Sequence, residues 1–423
     1  LFLLIMKSFI CIYIILLFLS IVYQPLGSYD MIGPQWFSLS LLNILFVIIS
    51  TRFNYIEFLK KYISSSLFKI YILFIFFSML SIFVASDFSY YFHDLGRLLT
   101  SFVVLLNLSF CIYSIGIKRF SDLLSYIIVS MTFYEVYLSL LPYILYFKDA
   151  GFSNWMYINI PPGNFKGIAG NKNITAALFV FKIPFLLYFL NKKNLLFKSF
   201  TLLAIFFSFF ILFFLKTRST YVSILLLFIF YFAHLLIHNR HLFVHRLFSL
   251  VSIISLSFIL FSNISSSIIT NEKSFASSLK SIELSNESSS NRFSLWSHTI
   301  DYISKKPFGA GLGNWKLESI PYWNQIGGSY QVPYHAHNDF LEMTVETGIL
   351  GGLVYLILFI FPLWVSFKYS FLNYKEDYIL IFLGLGVYIV DAFFNFPMER
   401  SYMQLLLACY FTFFIFKQEL QKL

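Results

Sequence analysis

The chain has 423 residues, of which 59% are hydrophobic and 12% charged, with a formal net charge of +10 and a mean hydropathy of +0.77. A water-soluble domain carries about a quarter charged residues, so a soluble fold around one buried core is excluded. The apolar residues come in runs near the length that crosses a bilayer as helix, and they lack the polar–apolar alternation of a transmembrane barrel.

In chain order, the runs predict membrane helices over 8–23, 35–50, 68–86, 98–117, 122–147, 173–191, 195–215, 219–237, 247–264, 348–367, 378–396 and 401–416. The predicted fold class is therefore all-α: a polytopic transmembrane helix bundle of about twelve helices with one large periplasmic loop. Met6-Lys7 follows Leu1 closely, so Met6 is an alternative to Leu1 as the start of translation. The run after Lys7 lacks a small-residue cleavage site, so the first helix is expected to be retained. Cys11, Cys111 and Cys409 all lie in apolar runs, which indicates no disulfide framework.

The cations test the helix count. With Lys7 inside, every second connection should be rich in Lys and Arg. Arg52, Lys60 and Lys61, then Lys118 and Arg119, then Lys192, Lys193 and Lys198 obey that rule. So do Arg240 and Arg246, Lys368 and Lys375, and Lys417 and Lys422 in the tail. Both termini are expected in the cytoplasm. The net positive charge has a second reading, an anionic substrate, and placement must decide between them.

The same alternation puts three segments outside: a loop near 148–172, Lys216-Thr217-Arg218, and a long stretch over 265–347. The expected organisation is helices one to nine in 1–264, the outer loop in 265–347 and helices ten to twelve in 348–423. The loop opens on a serine-rich run, Ser285 to Ser290. It is followed by a predicted helix from Arg292, capped by Ser290 or Asn291, with Phe293, Trp296, Ile300 and Ile303 at helical spacing. Pro307 ends that helix, and Gly309, Gly311 and Gly313 mark a turn. There is no internal repeat and no nucleotide-binding fingerprint, and no nucleic-acid partner is expected.

The densest chemistry is Tyr334-His335-Ala336-His337-Asn338-Asp339-Phe340-Leu341-Glu342, followed by Glu346 and Gly348. Histidines and carboxylates beside a membrane helix are costly to keep there and usually functional. His337 or Asn338 as a plain helix cap is one alternative. A metal site from His335, His337 and Asp339 is another, although no further ligand cluster supports it and none is expected. Arg218, at the outer end of the seventh helix, could be a snorkelling arginine, and Arg292 a solvated surface charge.

The ordered motifs resemble the O-antigen ligase and O-antigen polymerase family, bacterial membrane glycosyltransferases with about twelve helices and a large periplasmic loop. Arg292-Phe293-Ser294-Leu295-Trp296, continuing through Pro307-Phe308-Gly309-Ala310-Gly311-Leu312-Gly313-Asn314-Trp315, is similar to that family's arginine–tryptophan and glycine stretch. His337-Asn338-Asp339-Phe340-Leu341-Glu342, with Glu346-Thr347-Gly348 and Gly351, resembles its most diagnostic motif. Thr217-Arg218-Ser219 stands where the family has its first arginine, and Gly170-Asn171-Lys172-Asn173 is similar to a further recurring element. The resemblance runs from about residue 170 to 355 and does not separate ligase from polymerase.

It implies an architecture of the GT-C membrane-glycosyltransferase type and an enzyme of the bacterial inner membrane. Glycan would pass from a polyprenyl-diphosphate carrier to a hydroxyl of a lipid core, another glycan or a protein, on the periplasmic face. The residues suit that chemistry. No Asp-x-Asp occurs in the chain, so metal-independent transfer without a cofactor is expected, with arginines at the leaving diphosphate. Arg218 and Arg292 are the expected clamps, with Lys216 and Lys172 as auxiliaries. His337 is expected to engage the acceptor hydroxyl as base or positioner. Asp339 or Glu342 would orient it, with Asn338 and Trp296 as further substrate contacts.

The loop tryptophans Trp296, Trp315 and Trp323, with Tyr322, Tyr330 and Tyr334, fit either sugar stacking or interface anchoring. A rival class is a transporter of lipid-linked sugars, which usually shows inverted repeats and mid-membrane charges. Lys182 and Asp391 are such charges here. Asp391 falls near Asn395, Glu399 and Arg400, so it is expected to face the same cavity as the loop.

Overall fold

The computed structural model describes residues 2–22, 32–150, 167–191, 194–268, 292–325, 334–373, 375 and 377–420. The serine-rich run Ser285–Ser290, the candidate cap Asn291 and Tyr330 lie outside them. Among the described residues fifteen α-helices form, and no strand. The first ten are α1 (Phe2–Ser20), α2 (Gly33–Ser50), α3 (Tyr55–Tyr62), α4 (Ser66–Leu80), α5 (Phe88–Ile115), α6 (Ile117–Ala150), α7 (Lys172–Phe189), α8 (Leu195–Leu215), α9 (Arg218–His238) and α10 (Arg240–Ile268). The rest are α11 (Arg292–Lys305), α12 (Trp315–Glu318), α13 (Asp339–Phe367), α14 (Asp377–Phe394) and α15 (Ser401–Leu420).

All twelve predicted runs are helical, and ten of the helices among the described residues are long and apolar enough to cross a membrane. The chain is a multi-pass, all-helical membrane protein. The two predicted spans outside the ten are α1, whose apolar stretch is shorter, and α15. Residues 401–415 of α15 are all buried. Protein rather than lipid surrounds them, so Tyr402, Gln404 and Thr412 are tolerated there.

The chain divides into two compact units, one of Leu1–Phe120, Glu283–Ser366 and Tyr388–Leu423, the other of Ser121–Ile282 and Phe367–Val387. In the first unit α5 and α15 pack along one another, and α2 packs against α5 and α1. A polar chain pins these helices. Tyr13 donates to Asn43 Oδ1 at 2.6 Å, Asn107 Nδ2 donates to the same oxygen at 2.8 Å, and Tyr55 donates to Asn107 Oδ1 at 2.7 Å. Polar groups inside a membrane protein need such partners because lipid offers none. Helix α3, read from sequence as a connection, is amphipathic: Tyr55, Phe58 and Tyr62 are buried while Lys60 and Lys61 point outward.

Two helix starts differ from the reading of hydropathy. Helix α5 begins ten residues before the predicted 98 because Asp87 caps it, accepting from Ser89 N at 2.7 Å and Tyr90 N at 3.1 Å. Helix α13 begins at Asp339 rather than 348, and Asn338 accepts from the backbone N–H groups of Phe340 and Leu341. Gly348, at φ 79°, interrupts it. Asn338 is thus a helix cap, the plainer of its two readings.

The second unit comprises α6 to α10 with the start of α14. Helix α8 packs against α7 and α10, and α9 against α7 and α10. Among the described residues its interior holds a fully buried ion pair, Lys182 with Glu135. Mutual neutralisation accounts for both charges at that depth.

Candidate active site

The site of the first unit is built where residues 307–315 dock onto the break in α13. Ala310 N donates to Val345 O at 2.8 Å, Gly311 N to Glu346 O at 3.0 Å and Ile349 N to Pro307 O at 3.0 Å. Two glycines make this approach possible. A Cβ on Gly309, at φ 91°, would lie 2.7 Å from Gly348 N, and one on Gly348 would lie 2.9 Å from Phe308 O. Asn314 ties the same segment to the start of α5, accepting from Asp87 N at 2.7 Å and Ser86 Oγ at 3.0 Å.

Helix α11 lies on this platform with Leu295, Thr299 and Tyr302 buried. The predicted inward face was different: Phe293 is 37% and Ile300 55% exposed. The face turned because Tyr302 reaches Glu318, donating at 2.8 Å, and packs edge-on against the buried ring of Trp315. Trp315 is therefore core and not a sugar platform. Trp296 is half-buried, and its indole N–H donates to Ala336 O at 3.1 Å.

That bond fixes one side of the Ala336 peptide, and Glu342 fixes the other. Glu342 Oε2 accepts from Ala336 N at 2.9 Å, and Oε1 accepts from His335 Nδ1 at 2.7 Å. Burial works against a charge on His335, but the Glu342 carboxylate outweighs it and holds the imidazole above its ordinary value. The expectation that Asp339 or Glu342 orients His337 is overturned. Glu342 serves His335, and Asp339 turns away to accept from Met398 N at 3.0 Å. The His337 backbone itself is left-handed, at φ 52°.

His337 instead meets the segment joining α14 to α15. Its ring stands edge-on to Phe396 at 5.2 Å, while His335 stacks flat on the same ring at 4.2 Å. The guanidinium of Arg400 lies over that ring at 4.9 Å. Arg292 reaches Asn395 Oδ1 at 3.5 Å, and Asn395 Nδ2 donates to Asp391 Oδ1 at 2.5 Å. Burial, followed by the positive charges of Arg292 and His335, pushes His337 down to about 4. Its Nδ1 is buried with no hydrogen-bond partner. A neutral imidazole with an unspent nitrogen beside a cation can accept a proton from a hydroxyl brought to it.

Behind this cluster runs an ionic network. Arg97 pairs with Glu399 and approaches Asp94 at 3.5 Å, Lys316 approaches Asp94 at 3.5 Å, and His93 donates to Asp94 at 2.6 Å. Asp94, Arg97, Ser101, Glu346 and Glu399 line a small cavity of about 20 Å³ there, room for about one water molecule. The metal set considered from sequence, His335 with His337 and Asp339, does not assemble. Among the described residues, His335, Glu342 and Glu399 bring ligand atoms within 4.8 Å of one another. A metal ion there would have to displace the His335–Glu342 contact and compete with Arg97 for Glu399.

Arg218, Lys216 and Lys172 belong to the second unit. Lys216 ends α8 in a left-handed conformation at φ 48°, its N–H donating to Leu212 O at 3.2 Å. Arg218 opens α9 and is half-buried. Lys172 is exposed on the first turn of α7, where Asn171 caps by accepting from Asn173 N at 2.9 Å. In the first unit, the residue that sequence reasoning passed over is Phe396. A single aromatic beside Pro397 carries no periodic signal, and only its three neighbours reveal its place.

A polytopic helical membrane protein with a histidine–arginine cluster on one connecting segment is the class defined by this geometry. Residues 203–356 match the model of a family described as O-Antigen ligase, so that stretch of the chain is similar to this family. The matched residues contain Arg218, Arg292 and His337 and end before the 395–400 segment. No curated protein matches the chain significantly.

Proposed function

We propose that the chain transfers a glycan from a polyprenyl-diphosphate carrier to an acceptor hydroxyl at the outer face of the bacterial inner membrane. The observation that carries this reading is His337, neutral and with an unspent nitrogen, held within the field of Arg292. In the step proposed, the acceptor oxygen bonds to the anomeric carbon as the bond from that carbon to the diphosphate oxygen breaks. The electron pair stays on the diphosphate, and the acceptor proton passes to the His337 imidazole. Arg292 offsets the charge growing on the leaving group. Arg218 and Lys216, inside the matched stretch, and Lys172, outside it, are proposed as diphosphate-binding residues on the sequence resemblance alone. Asn338 and Asp339 hold the start of α13, and Trp296 holds the Ala336 peptide, so these three are proposed as positioning groups.

Ligase is favoured over polymerase on the description of the matching family. The test is to incubate the purified protein with a polyprenyl-diphosphate glycan and candidate acceptors, with and without a chelator. Carrier diphosphate released together with a labelled lipid core or protein supports a ligase; a lengthened carrier-linked glycan supports a polymerase. No turnover with any acceptor overturns the reading, and a chelator block reversed by a divalent ion overturns its metal-free form. Cysteine labelling at Ser288 tests sidedness: reaction from the cytoplasm would invert the topology, including the cytoplasmic termini.

A further inference from the structure

Arg400 stands at an unusual place for a cation. Its carbonyl accepts from Gln404 N at 3.0 Å, the first helical bond of α15, so it occupies the N-cap position of a 20-residue helix. The positive end of a helix dipole disfavours a cation there and favours an anion. Its charge acts on the Asp391 carboxylate, but the two form no ion pair. Among the described residues Arg400 makes no ion pair, and its buried Nε has no hydrogen-bond partner. Glu399, its neighbour in sequence, is taken by Arg97. What holds the guanidinium is the face of Phe396 at 4.9 Å, an attraction that consumes none of its N–H donors.

The surroundings extend the pattern. Phe396 is also the ring against which His335 and His337 rest. The charges of Arg400 and Arg292 both act on the buried Asp391 carboxylate. Arg400 and the two histidines thus share Phe396, and Arg292 reaches the adjacent Asn395, which is bonded to Asp391. A planar guanidinium with free donors, as on Arg400, suits phosphate oxygens, which it binds as a fork.

We propose that Arg400, carried by the segment joining α14 to α15, is a further phosphate-binding residue of the site, taking the diphosphate of the donor. This rests on the transfer reading above. It assigns substrate contact to a segment outside the matched family stretch, with Phe396 as the ring that holds the guanidinium in place.

The test is titration of the purified full chain with inorganic pyrophosphate, alongside steady-state transfer from the carrier-linked donor. Arg400→Gln is expected to weaken pyrophosphate binding about ten- to a hundredfold, the range for loss of a charged hydrogen-bonding group. Donor KM should rise while acceptor KM stays unchanged, Arg400→Lys should fall between, and Lys305→Gln, at an exposed surface, should match wild type. A folded Arg400→Gln protein that binds pyrophosphate as tightly as wild type overturns the proposal. Should that variant not fold, Arg400→Lys decides, and unchanged affinity on exchange of fork for point charge overturns it. The two readings fail differently. If Arg292→Gln weakens binding and Arg400→Gln does not, only Arg400 is misassigned. A wild-type chain that neither binds pyrophosphate nor transfers glycan overturns the transfer reading and this one with it.

Discussion

His335 Nδ1 donates to Glu342 Oε1 at 2.7 Å across the start of α13, while the other oxygen of Glu342 accepts from the backbone between the two histidines. One carboxylate therefore sets both a side chain and the peptide that leads into His337. Glu342→Gln should remove the charge that raises His335, so its titration midpoint, followed by NMR, should fall. Glu342→Ala should also leave the Ala336 N–H unpaired, at a cost of about 1–3 kcal/mol in thermal unfolding.

His337 should show its depressed value in the pH profile. A base works when unprotonated, so a group at about 4 keeps kcat/KM flat from neutral pH down to about pH 5, where an ordinary histidine would already be losing activity. Arg292→Gln removes a positive charge that lowers this value, so the acid limb should move upward. Stability follows the same sign. The unfolded chain binds more protons between the ordinary value and about 4, so the His337 contribution weakens as pH falls through that window. His337→Ala should lower transfer by about 10²–10⁴-fold.

The glycine pair should tolerate little. Gly348→Ala places a methyl group 2.9 Å from Phe308 O at φ 79°. A cost of about 1–3 kcal/mol is expected, with displacement of the 307–313 segment. Limited proteolysis together with thermal unfolding would read both effects, and an unchanged profile would sink the docking argument.

The buried pair in the second unit should behave as a unit. Lys182→Met or Glu135→Leu alone leaves an uncompensated charge and should destabilise by about 3–5 kcal/mol, whereas the double variant should recover most of the loss. A thermodynamic cycle in detergent measures this coupling, and additive single losses would show that the pair is not coupled.

Much of the fold was readable before any coordinates. The twelve apolar runs are all helices, because lipid demands both length and internally satisfied backbones, and both requirements leave their mark in composition. What hydropathy missed were polar helix starts, such as residues 88–97 and 339–347, where caps at Asp87 and Asn338 set the boundary instead of burial. The amphipathic α3 was missed for a related reason, since its average hydropathy resembles that of a loop.

Within the first unit, Arg292 and His337 were singled out by residue type, and the structure brings both to Asn395 and Phe396. Their partners were not legible. The acid that faces His335, the turn of Asp339 toward Met398 and the stacking of three groups on Phe396 depend on chain segments some sixty residues apart.

The amino-acid sequence by itself determined that this chain crosses a membrane many times, and it marked the residue types able to handle a phosphate leaving group. Both follow from local chemistry: apolar runs seek lipid, and arginine and histidine keep their properties wherever they are placed. Only the tertiary structure decided which carboxylate serves which histidine and which arginine is left without one. Those outcomes depend on distances of a few ångströms between remote segments, which packing sets and no run of residues contains.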